Sequence, residues 1–229
     1  MSNVRPFDLR VKGLKYHVKD GVSIRTILDI EHLEIASGEV LGIRGTSGSG
    51  KSTFLKLISG IVTPQQGTVS WGNELLSHCS EARRDDWRGR NCGFLFQDFR
   101  LFGGLSALDN ALLPLTFGGK ITGADRDRAE KLLRQYGVPA ETQASLLSRG
   151  EMQRTALVRV LISSPKVILA DEPTASLDYS NALRVMEALI NAAFDLKATL
   201  LVVTHDSQML KRFNRVLTIE NGTIRGPGL

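Results

Sequence analysis

Apolar and polar residues alternate through the opening stretch, where Leu9, Val11, Leu14, Tyr16 and Val18 are followed later by Leu33 and Ile35. A period of two predicts strands with one buried face. Gly38 then introduces a short apolar run over 40–43, which reads as a further strand. Over 51–59 the spacing changes, so that Phe54, Leu55 and Ile58 share one helical face. Strand, glycine-rich loop and helix follow one another directly. Residues 92–96 read as another buried strand. From about Ser106 to Ser164 the pattern is helical, punctuated by Pro114, Gly118, Gly119, Gly123 and Gly137. Apolar strands return at 167–170, 200–203 and 216–219, with an amphipathic helix near 181–193. Such alternation predicts an α/β fold, with a mostly parallel sheet covered on both faces and a helical block interrupting it.

The length of 229 residues suits one large domain or two small ones. Hydrophobic residues at 42% and charged residues at 23% exclude a disordered chain. No apolar run approaches the ~20 residues of a spanning helix. The opening residues carry no apolar core of the secretory kind, so the chain is expected to be made and kept in the cytosol. Cys79 and Cys92 lack metal-ligand spacing and read as reduced thiols. A net charge of +5 allows nucleic acid, anionic lipid or nucleotide as partner and separates none of them. The basic cluster of Arg83, Arg84, Arg88 and Arg90 alternates with Asp85 and Asp86, which predicts a solvated face.

Candidate chemistry begins with Gly45-Thr46-Ser47-Gly48-Ser49-Gly50-Lys51-Ser52, which fits GxxxxGK[ST] after a strand and at the start of a helix. Glycines let successive backbone N–H groups curl around one concavity, and the helix aims its positive dipole end there. Lys51 can then reach the β- and γ-phosphates of a nucleotide, while the Ser52 hydroxyl suits Mg²⁺. The strand at 167–170 delivers Asp171 and Glu172 at its C-terminal end, where open α/β sheets bind ligands. One carboxylate placed for a metal and one for an attacking water point to hydrolysis.

These residues resemble the motif set of the ATP-binding-cassette (ABC) ATPases. Gly45 through Thr53 resembles the Walker A motif and 167–172 the Walker B motif. Leu147-Ser148-Arg149-Gly150-Glu151 resembles the signature, Gln97 the Q-loop glutamine, Ser176-Leu177-Asp178 the D-loop, and His205 the switch histidine. The phrases GFLFQDFRLF, LADEPTASLD and LVVTHD look most like the stand-alone ATPases of the lipoprotein-release, macrolide-export and cell-division branch. The resemblance implies one P-loop NTPase domain over 1–229. Its nucleotide-binding core would take 1–97 and 165–229, with an antiparallel β subdomain at the N-terminus. A helical subdomain carrying the signature would occupy about 98–164.

The same resemblance implies ATP and Mg²⁺ as cofactors. Glu172, His205, Lys51 and Gln97 would be catalytic, and Ser52, Gln97 and Asp171 would lie at the metal. The nucleotide would be held by Gly45, Thr46, Ser47, Gly48, Ser49, Gly50, Lys51, Ser52 and Thr53, with Tyr16 against adenine. Ser148, Gly150, Glu151 and Asp178 would close on it from a second copy, or from a second ABC ATPase. Separate transmembrane permease subunits would be driven from the cytoplasmic face of the inner membrane, with no direct nucleic-acid binding.

Several readings stay open in the sequence. Ser148 with Glu151 is a capping-box pattern opening a helix that carries Ala156, Leu157 and Val160, which serves equally a well-capped helix and an anion site. Tyr16 is either an adenine platform or core, and Phe99, Leu101 and Phe102 either line a groove for a partner helix or fill the interior. Arg149 stands where the family most often has glycine. Arg44, ending an apolar strand, has no explanation in the sequence. A non-transport ABC ATPase, acting in a division-type, lyase-associated or nucleic-acid complex, is the competing function.

Overall fold

The alternating opening forms an antiparallel sheet in the computed structural model, which describes residues 6–227 apart from 22, 118 and 176. Ser176 of the D-loop reading and Gly118 thus lie outside the described residues. β1 (Leu9–Asp20) pairs with β2 (Ser23–Ile35) on one side and with β4 (Gln66–Trp71) on the other. Leu9 faces both Ile35 and Trp71, and Val11 faces both Leu33 and Val69, so each cross-strand row is buried. The register with β4 shifts between Lys12 and Lys15. There Gly67 comes so near Gly13 that a Cβ would lie 2.2 Å from the Gly13 carbonyl oxygen.

The second sheet runs in the order β5 (Cys92–Leu95), β6 (Val167–Asp171), β7 (Thr199–Val203), β3 (Val40–Arg44), β8 (Arg215–Glu220), β9 (Thr223–Arg225). All of these pairings are parallel except β8 with β9. Strand periodicity sends Leu41, Ile43, Val167, Leu169, Leu201, Val203 and Leu217 to one face, against α1 (Lys51–Ile58) and the antiparallel sheet. Ile168, Ala170, Leu200 and Val202 point the other way, against α5 (Arg149–Leu161), α6 (Tyr179–Leu196) and α7 (Ser207–Leu210). Both faces of the sheet are covered, so its strands are continuously apolar. A third cluster joins α3 (Ala107–Thr116), α4 (Gly123–Gln135) and the remaining face of α5, through Leu108, Leu112, Leu133, Val158 and Ile162. α5 therefore belongs to both cores, and a shift of the α3–α4 layer is felt by the sheet through one rigid helix.

α2 (Glu81–Asn91) buries only Trp87, which stacks on Trp71 at 5.9 Å between centroids. Its basic cluster corrects the solvated-face expectation in part. Arg83 and Arg90 are exposed, but Arg84 and Arg88 are half-buried and both donate to the Gly60 carbonyl just after α1. Arg44 is accounted for as well: its Nε donates to Thr218 Oγ1 at 2.8 Å, tying β3 to β8. Both cysteines are free, and burial pushes the Cys92 thiol up to about 12.

Candidate active site

β3 ends at the phosphate loop, where Gly45 and Gly50 each have a steric reason. A Cβ at Gly45 would fall 2.4 Å from the Ile219 carbonyl oxygen. Gly50, at φ 101°, caps α1 in a left-handed conformation, and its Cβ would meet Leu28 Cδ2 at 2.9 Å. The first N–H groups of α1, from Lys51 onward, have no partner within the helix and face the loop. Lys51 is 8% exposed, and its Nζ donates to the carbonyls of Gly45 (2.9 Å) and Thr46 (2.8 Å). Its charge is thus held over the concavity by acceptors a phosphate can replace. Ser49 Oγ is buried without a hydrogen-bond partner in the same loop.

Asp171 closes β6 and is 7% exposed, with Oδ1 buried and unpartnered. Burial pushes its carboxyl above the usual range. A Ser52 hydrogen bond opposes that shift, the Glu172 charge adds to it, and Lys56 and Lys51 oppose it again. An orphaned, desolvated carboxylate oxygen beside a hydroxyl fits a hard cation that keeps several waters and binds chiefly through phosphate, as Mg²⁺ does. No group of three or more His, Cys, Asp or Glu that could hold a metal occurs among the described residues.

Glu172 follows at φ 47°, a left-handed conformation costly for a side chain with a Cβ. Its N–H bonds the Val203 carbonyl at 2.9 Å, which pins the turn against β7. The resulting side chain is mostly buried, and Oε1 lies 2.9 Å from Nδ1 of the exposed His205. His205 is itself positioned by Thr204, whose N–H donates to Ile43, and by Asp206, which caps α7.

Gln97 is exposed and lines a cleft of about 400 Å³ with Ser52, Lys56, Arg149 and Asp171. The loop after it turns through Phe99 and Arg100, both at positive φ. Arg159 of α5 donates to the carbonyls of both residues, the Arg100 contact measuring 2.6 Å. Phe99 is core, Leu101 is half-buried, and Phe102 is exposed beside Phe117 in a separate apolar groove. Tyr16 is half-buried against the core, opposite Leu28 in β2.

The signature opens α5 with a complete capping box. The Ser148 backbone N–H and hydroxyl donate to Glu151 Oε2 at 2.8 and 2.6 Å, and the Glu151 N–H returns to Ser148 Oγ. Asp178 caps α6, its carboxylate accepting from the Asn181 N–H. Its carboxyl is lowered to about 2 by the Ser180 hydroxyl and the backbone and side chain of Asn181. Ser148, Gly150 and Asp178 border a second cavity of about 760 Å³, which shares only Arg149 with the lining of the Ser52–Asp171 cleft. Ser52 and Asp171 thus border one cavity of the chain, and Ser148, Gly150 and Asp178 another.

The family model described as ABC transporter matches residues 28–175. The chain belongs to that family. It is 35% identical over 224 residues to the lipoprotein-releasing system ATP-binding protein LolD of Pseudomonas fluorescens, covering 97% of this chain and 98% of that protein. It is 33% identical to LolD of Chromohalobacter salexigens, covering 94% and 92%. A solved dimer of the ATP-binding cassette MJ0796, in a post-hydrolysis state bound to ADP and Pi, superposes with a TM-score of 0.89 at 33% identity, over 95% of this chain and 97% of that one.

As an ABC ATPase the chain hydrolyses ATP, and its fold is the cassette fold. Lys51, Ser52, Gln97, Asp171, Glu172 and His205 follow the ends of β3, β5, β6 and β7. Sequence reading passed over Arg159 and Thr204, which hold the Gln97 loop and the His205 turn through backbone contacts. No pattern in a single sequence marks such contacts.

Proposed function

We propose that this chain is the ATPase subunit of a membrane system of the lipoprotein-release kind, acting as an ATP-closed pair of cassettes beneath separate membrane-spanning subunits. The observation that carries the reading is the division of the site into two half-sites on one chain. A second copy in head-to-tail contact supplies Ser148 and Gly150 to the phosphate loop of the first. Glu172 orients a water and takes its proton, and His205 holds the Glu172 carboxylate in place. Lys51 and the N–H groups of α1 stabilise charge on the terminal phosphate. Ser52, Asp171 and Gln97 would hold Mg²⁺, which supplies charge neutralisation between the β- and γ-phosphates. The groove of about 340 Å³ bordered by Phe102, Leu113, Pro114 and Phe117 offers the membrane partner an apolar seat. No helix among the described residues is long and apolar enough to cross a membrane, so any spanning element in such a system comes from another chain or from outside those residues.

The test is an affinity pull-down of tagged Glu172→Gln protein from detergent-solubilised membranes with ATP and Mg²⁺. The reading expects a polytopic membrane protein in stoichiometric yield, lost with Lys51→Ala. Recovery of soluble partners or nucleic acid alone overturns the membrane assignment.

A further inference from the structure

We propose that Arg149 contacts the terminal phosphate of the nucleotide bound to its own chain, so that one helix tip reads two nucleotides. Arg149 is the first residue of α5. A cation there is opposed by the helix dipole, so helix stability does not account for it. α1 also begins on a cation, and that residue is Lys51. Arg149 is exposed and has no hydrogen bond or ion pair among the described residues.

What Arg149 borders gives it a ligand. Its side chain lines the cleft of Ser52, Lys56, Gln97 and Asp171 of the same chain. Of the other cations there, Arg100 pairs with Asp98 at 3.3 Å and lies 4.3 Å over the Phe96 ring, while Lys56 is near enough to Asp171 for its charge to favour the carboxylate. Asp171 is more than nine-tenths buried and its Oδ1 has no partner, an independent sign that a charged group binds in this cleft. A cation–carboxylate complex completes Asp171, and a phosphate oxygen completes Arg149. A guanidinium suits that role through its fixed, forked donors.

Position gives the contact a consequence. Ser148, Arg149 and Gly150 all border the cavity shared with Asp178, and of the three Arg149 alone also lines the cleft of Ser52 and Asp171. A triphosphate that draws in Arg149 therefore sets the angle at which Ser148 and Gly150 meet the partner's nucleotide, through the single rigid α5. A diphosphate lacks the oxygen that Arg149 would grip. The contact lies within one chain and needs no dimer, so it stands or falls separately from the two-copy reading.

The experiment uses full-length wild type, Arg149→Gly and Arg149→Lys with Mg²⁺, at a concentration where sedimentation shows monomer. Calorimetric titration compares the β,γ-imido analogue of ATP with ADP. The proposal expects Arg149→Gly to lose about tenfold in affinity for the triphosphate analogue, the scale of one charge-assisted hydrogen bond, with ADP affinity unchanged. Arg149→Lys should fall between, and an unchanged melting temperature keeps folding out of the result. Equal losses for both nucleotides, or no loss, overturn the proposal. So does an effect confined to the dimer formed by Glu172→Gln, which would place the guanidinium on the partner's nucleotide.

Discussion

Glu172 and His205 meet at 2.9 Å, although one follows β6 and the other follows β7. The pair exists because adjacent parallel strands finish side by side, so the contact is fixed by the sheet rather than by either loop. A carboxylate held this way keeps its orientation while water and phosphate exchange around it. Glu172→Gln is expected to retain ATP binding and lose hydrolysis by about 10²–10⁴-fold, the range for a general base. His205→Ala should lose about tenfold to a hundredfold, because the base remains but its orientation is lost. Single-turnover phosphate release measures both, and a Glu172→Gln protein that turns over normally contradicts the base assignment.

Asp171 holds charge at a cost to the empty fold. Because burial raises its carboxyl above the unfolded-state value, the native state takes up a proton before the unfolded state does as pH falls. The destabilisation is therefore complete at neutral pH and fades as pH drops through the carboxylate range. Asp171→Asn should raise the melting temperature of the nucleotide-free protein by about 2–4 °C at pH 7, the scale of ~1 kcal/mol in a chain this size. That gain should shrink toward pH 4, and Mg²⁺-dependent hydrolysis should be lost. Scanning calorimetry across pH checks the sign.

Gly50→Ala should destabilise by about 1–3 kcal/mol, since it forces a Cβ into a left-handed cap. The new methyl also meets Leu28 and the Ile27 carbonyl. Nucleotide binding should fail with it, because α1 cannot keep its N–H groups on the loop. Chemical denaturation and ADP titration give the two readouts.

Phe117 is 87% exposed at the end of α3 and joins Phe102 in the apolar groove. Phe117→Ser is expected to leave hydrolysis by the free protein within about twofold of wild type, as a surface change away from the phosphate loop. Co-purification with the membrane partner should fall sharply. Full recovery of that partner would move the docking surface elsewhere.

Much of this was legible in the sequence, for identifiable reasons. The central strands are buried on both faces, so 40–43, 167–170 and 200–203 stand out as apolar runs, and the GxxxxGK[ST] spacing carries its own mechanism. β4 escaped notice because Gly67 and the alternation around Val69 and Trp71 leave only two buried side chains. α2 escaped because its one anchor, Trp87, sits among charges whose inward members bond a backbone carbonyl. Short β9 and α7 depend on tertiary pairing and on the Asp206 cap. The division of the site between two copies was expected from the family resemblance, which sets Ser148 and Gly150 against a second copy's nucleotide; residue spacing alone carries no trace of it.

Sedimentation velocity of Glu172→Gln with ATP and Mg²⁺ tests the central claim most directly. The account predicts a species of twice the chain mass with ATP, monomer with ADP, and monomer with ATP once Ser148→Arg obstructs the second half-site. A protein that binds ATP yet stays monomeric at every nucleotide concentration would contradict a site completed by a second copy.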